Sequence, residues 1–131
     1  MRHLLLAASL AIPAALIAAA NPTPAAAQSP GLEQACIAVA KHFLLAPVLK
    51  TGIVQSFPEL NPPGARLTYS TRDNPQPTDF NNIIECEFDK PQAPFGLVRF
   101  CLSNTCYSPT EEEPERQRRF QEVKALMDRH K

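Results

Sequence analysis

In the pattern of apolar and polar positions, residues 81–107 carry most of the strand signal, together with three of the four cysteines. Ile84, Cys86 and Phe88 point one way, and Glu85 and Glu87 the other. That two-residue period predicts a strand, Asn82–Phe88, with one face buried and its acids in water. The same period returns in Phe95–Leu102. Val98, Phe100 and Leu102 form one face; Leu97, Arg99 and Cys101 form the other. Burying Arg99 without a partner is costly, so the first set is expected to face the core. Ser103-Asn104 fits a two-residue hairpin loop that returns the chain along Thr105–Tyr107. In that register Leu102 lies opposite Thr105, and Cys101 opposite Cys106, as a close, non-hydrogen-bonded pair. Two earlier strands are shorter in signal. Thr51–Phe57 sets Ile53, Gln55 and Phe57 against Val54 and Ser56. Ala65–Thr71 sets Leu67 and Tyr69 against Arg66, Thr68 and Ser70.

Helical spacing appears at both ends of this strand series. Leu32, Ala35, Cys36, Val39 and Phe43 recur at three and four residues, which predicts a helix over Leu32–Leu45. Ser29 or Gly31 caps it, and Pro47 disfavours continuation through Ala46. His42 reads as a solvated residue of its last turn. The second helix spans roughly Glu112–Arg129, with only Phe120, Val123, Leu126 and Met127 as an apolar stripe. Glu111, Glu112, Glu113 and Glu115 crowd its start, which suits the helix dipole. Glu112–Arg116 and Glu115–Arg119 have the spacing of favourable ion pairs. Proline-rich connections at 58–64, 72–79 and 89–94 separate the strands. The expected fold is therefore α+β: an N-terminal helix packed on an antiparallel sheet of four to five strands, with a charged C-terminal helix.

The first residues carry a different pattern. Arg2 and His3 precede an uncharged apolar run, Leu4–Ala20. Asn21, Pro22 and Pro24 break it, and Ala25-Ala26-Ala27 supplies small residues ahead of Gln28. This is the pattern of an export signal over 1–27, cleaved before Gln28, with cleavage after Ala20 as the second site. An uncleaved membrane anchor is the competing reading; the run is short for a bilayer span and Pro13 interrupts it. Residues 28–131 then form a single disulfide-stabilised α+β domain, since 131 residues suffice for one core. The expected location is the periplasm or the secreted space.

Export changes the meaning of Cys36, Cys86, Cys101 and Cys106. Four cysteines in an oxidising compartment suggest two disulfides. No C-x-x-C pair is present, which argues against a tetrathiolate zinc site or a redox dithiol. Three pairings are possible, and strand parity chooses among them. Cys86 shares a face with Ile84 and Phe88, and Cys36 lies on the apolar stripe of the helix that should cover that face. Cys101 is aimed away from that helix, with Cys106 as its cross-strand neighbour. The expected pairs are Cys36–Cys86 and Cys101–Cys106.

Charge and motifs exclude more than they suggest. Thirteen basic and 13 acidic residues give a formal net charge of +0, so no basic surplus points to nucleic acid. Glu85 and Glu87 have no partner chemistry in sequence, and Arg72, Asp73 and Asp79 read as turn formers and solvated charges. No metal ligand set, cofactor motif or catalytic constellation can be assembled. The expected function is a non-catalytic binding or structural module, with an envelope protein as its partner. The alternative is an enzyme or enzyme inhibitor with its site in loops 58–64 and 72–79.

One resemblance adds to this. The helix with Cys36, Leu45-Ala46-Pro47 with Lys50, Tyr69 through Asn74, and Cys86-Glu87-Phe88 together resemble an arrangement in small exported bacterial proteins of unassigned function. Those proteins run helix, an L-x-x-P-S/T-x-x-K-like turn, strands, a D-x-x-N-x-x-G-like turn and a C-x-F strand. Here Val48 and Leu49 replace the usual Ser or Thr, and no glycine follows Asn74. The resemblance covers roughly residues 32–88. It implies an α+β fold and a Cys36–Cys86 bond, and it implies no activity.

Overall fold

A computed structural model describes residue 11 and residues 28–129. The expected signal segment, 1–27, lies outside the described residues apart from residue 11. The elements run α1 (Pro30–Leu44), β1 (Lys50–Phe57), β2 (Gly64–Ser70), β3 (Asn82–Phe88), β4 (Leu97–Leu102), β5 (Thr105–Tyr107) and α2 (Pro114–Arg129). The strands form one antiparallel sheet in sequence order, β1-β2-β3-β4-β5. Both helices pack on one face, so the fold is α+β as the periodicity predicts.

α1 starts where its sequence supplies a cap. Ser29 Oγ accepts the Leu32 N–H at 3.4 Å, and Pro30 occupies the first turn, where its missing N–H does no harm. The helix stops at Leu45, which takes a left-handed conformation (φ 51°) and donates its N–H to Lys41 O. Leu32, Ala35, Cys36, Val39 and Ala40 are buried. They meet Ala65, Leu67 and Tyr69 of β2, and Ile84, Cys86 and Phe88 of β3, in a single core. Phe43 extends that core towards α2: it lies edge-on to Phe100 at 5.3 Å and beside Tyr107 at 4.8 Å.

The cysteines pair as parity predicts. Cys36–Cys86 joins α1 to β3 with Cα atoms 5.6 Å apart, inside the core. Cys101–Cys106 bridges β4 and β5 directly across the hairpin, with Cα atoms 4.0 Å apart. Ser103 takes φ 54° in the turn between them.

β4 corrects one expectation. Phe100 is buried, but Val98 is 40% exposed and Leu97 is buried instead. The register explains this. Glu87 pairs with Arg99, yet Phe88 pairs with Leu97, so Val98 is an extra residue on β4. A bulge of this kind resets the alternation, and everything before it changes face. β1 carries a second irregularity at Gly52 and Ile53, where the Ile53 N–H binds Thr68 Oγ1 at 2.9 Å. Ile53 is 67% exposed, whereas Ser56 is buried.

α2 sits on the sheet through Phe120 and Val123, both buried, with Met127 partly so. Its ion pairs differ from those the spacing suggests. Arg116 approaches Glu111 and Glu113 at 3.7 and 3.5 Å, and Arg118 binds Glu115 and Glu122 at 2.7 and 2.5 Å. Arg119 turns inward: its Nη2 donates to Phe43 O at 3.1 Å, and its guanidinium lies over the Phe43 ring at 4.4 Å. It thereby fixes α2 to the end of α1.

The Arg118 hydrogen bond, followed by its charge, holds the Glu115 carboxyl below the usual glutamate value. A carboxyl depressed in the folded state stabilises the fold above its unfolded value, and that contribution is lost as pH falls through the folded one. The pair is exposed, so the effect on stability is small. An NMR titration should give Glu115 a lower midpoint in the native protein than in Arg118→Ala.

Candidate functional site

The two proline-rich loops singled out from the sequence do not meet. Residues 58–63 connect β1 to β2 at one end of the sheet, and 71–81 connect β2 to β3 at the other. The seven residues of β2 keep them about 20 Å apart. In the second loop, Asp79 Oδ2 accepts the Gln76 N–H at 2.8 Å, and Asp79 approaches Arg72 at 3.5 Å. Asp79 holds a turn. Glu85 and Glu87 likewise pair across the open face of the sheet, with Arg66 at 3.5 Å and Arg99 at 3.7 Å.

The most apolar of the larger concave surfaces among the described residues lies on the helical side. It is an apolar groove of about 590 Å³ between α1, residues 93–95 and α2. One line of α1 forms the floor: Gly31, Gln34, Ala35, Ala38 and His42. They recur at helical spacing beside the stripe that enters the core. Because three of them are glycine or alanine, the floor is set back from its walls. Pro94 and Phe95 form one wall, and Met127 contributes from α2.

Phe95 is held there by local geometry. Its ring lies 5.8 Å from Phe88, and a Cβ at position 31 would come 2.8 Å from its Cζ. Gly31 is thus needed for the ring to approach α1 so closely. The loop carrying it closes through Asp89, which accepts the Gly96 N–H at 2.8 Å and donates its own N–H to Gly96 O at 2.8 Å. The Ala93–Pro94 peptide bond is cis. His42, read from the sequence as solvated, is half-buried at this groove.

A second groove, of about 630 Å³, runs between β4 and α2. Several polar groups on its walls already engage one another. Ser108 Oγ donates to Glu111 Oε1 at 3.1 Å, and Arg99 and Arg116 approach the same carboxylate at 3.9 and 3.7 Å. The α1 groove has the composition of a ligand site: mostly apolar walls with a few polar groups, within the range of about 300–1,000 Å³.

No cluster of three metal-ligating side chains occurs among the described residues. Among them, too, no helix is long and apolar enough to cross a membrane. No family model, curated protein or solved structure matches the chain.

The groove escaped the sequence reading because its parts are remote in the chain. The one local signal was the spacing of the small residues Gly31, Ala35 and Ala38 on α1, with His42 one turn beyond.

Proposed function

We propose that the protein is a small exported binding module, without catalysis, that captures an envelope or secreted protein by an apolar side chain seated in the α1 groove. The observation that carries this is the groove itself, with its small-residue floor and its Phe95 and Met127 walls. The two disulfides support an oxidising location, since such bonds persist there. The Cys36–Cys86 bond ties α1, which forms the groove floor, to β3, and a floor held in place lowers the ordering cost of binding.

The test is capture of a partner from envelope extract by tagged mature protein. Ala38→Gln keeps a good helix former and fills the floor. It should reduce capture at least about tenfold, the effect of losing one well-seated apolar contact, while leaving the melting curve almost unchanged. Equal capture by Ala38→Gln, with loss on Arg66→Ala, would move the site to the open face of the sheet.

A further inference from the structure

Gln28 and Ser29 are tied to β1 at a single residue, Ser56. Gln28 Oε1 accepts the Ser56 N–H at 3.0 Å and the Ser56 hydroxyl at 3.3 Å. The Ser29 N–H donates to that hydroxyl at 2.5 Å. Ser56 is 2% exposed. β1 is an edge of the sheet and, among the described residues, pairs only with β2, so the carboxamide of Gln28 satisfies a main-chain donor that would otherwise await another strand. Ser29 is also the cap of α1. One knot therefore joins the helix start, the sheet edge and Gln28.

We propose that Gln28 is the amino-terminal residue of the mature chain and that this clasp keeps it open, with a free α-amine and an intact carboxamide. This rests on the export reading above, with cleavage after Ala27. A glutamine freed at an N-terminus cyclises on itself. The α-amine attacks Cδ, an N–Cδ bond forms, the Cδ–Nε2 bond breaks, and a proton moves to the departing nitrogen, which leaves as ammonia. No oxidant, reductant or second substrate is needed. Ring closure turns the carboxamide back on its own amine, which takes Oε1 away from Ser56. It leaves the Ser56 N–H without its acceptor on a buried residue, a costly state. The reactive conformer is thus reached only through local opening of the clasp.

The experiment uses the full chain, expressed with its leader and recovered after export. Intact mass identifies the first residue and shows whether an ammonia has been lost. The protein is then incubated in native buffer and in denaturant, and cyclisation is followed by mass. The expected protein starts at Gln28, is recovered uncyclised, and cyclises roughly tenfold or more slowly when native, as the opening of two or three ordinary hydrogen bonds requires. Ser56→Ala, which removes the hydroxyl and keeps the N–H, should lose part of that protection. Recovery in the cyclised form, or equal rates in the native and denatured states, would overturn the clasp while leaving export intact. A start at Asn21 or Met1 would overturn the proposed N-terminus and the cleavage reading together.

Discussion

Replacing Cys36 by serine should lower the stability of the domain by about 4 kcal/mol, against about 2 kcal/mol for Cys106→Ser. The chain-entropy estimate sets this order, because one bond spans a sequence separation of 50 and the other a separation of 5. Packing widens the gap. Cys36 is 0% exposed and Cys86 is 2% exposed, so the substitution leaves a hydroxyl and a thiol inside the core. Cys101 and Cys106 lie at a partly exposed position of the sheet, where water can satisfy what the bond leaves behind. Urea denaturation of the two variants under oxidising conditions measures the difference. Equal losses would show that the α1–β3 bond is not the main staple. Non-reducing peptide mapping checks the pairing itself.

Phe120→Ala should cost about 3–5 kcal/mol, the range for truncating a buried aromatic ring. Phe120 is 1% exposed and its ring centroid lies 6.3 Å from that of Phe100. It packs α2 against β4, and neighbouring Arg119 joins α2 to α1 through Phe43. The control is Glu113→Ala. Glu113 pairs with Arg116 at 3.5 Å, but its side chain is 70% exposed, so the change should stay within about 0.5 kcal/mol. Thermal or urea unfolding followed by circular dichroism gives both values. A neutral Phe120→Ala would mean that α2 is held by its charges rather than by its narrow apolar stripe, and would open that face to a partner.

The sequence by itself determined the elements and their order, and strand parity favoured the disulfide pairing that the structure shows. Periodicity is a local property, and it survives folding wherever the backbone stays regular. From Ile84 to Phe88 and from Arg99 to Leu102 the count of two is unbroken. Core faces, wet glutamates and the Cys101–Cys106 pair could therefore be read directly. Cys36 could be assigned because α1 keeps its spacing from a capped start to a defined stop.

Tertiary structure decided what parity could not carry. One extra residue at Val98 reversed the faces of β4 before it, and the irregularity at Gly52–Ile53 loosened the same rule in β1. A bulge is fixed by how two strands must twist to pack, so neither strand shows it alone. The partners of the glutamates before and within α2 depended on rotamers and on where Arg119 found Phe43, because several acids lay within reach of each base. The α1 groove and the Ser56 clasp went unread for one reason. Each joins segments far apart in the chain: Gly31 with Phe95 and Met127, and Gln28 with Ser56. Only closure of the core brings those residues to one place.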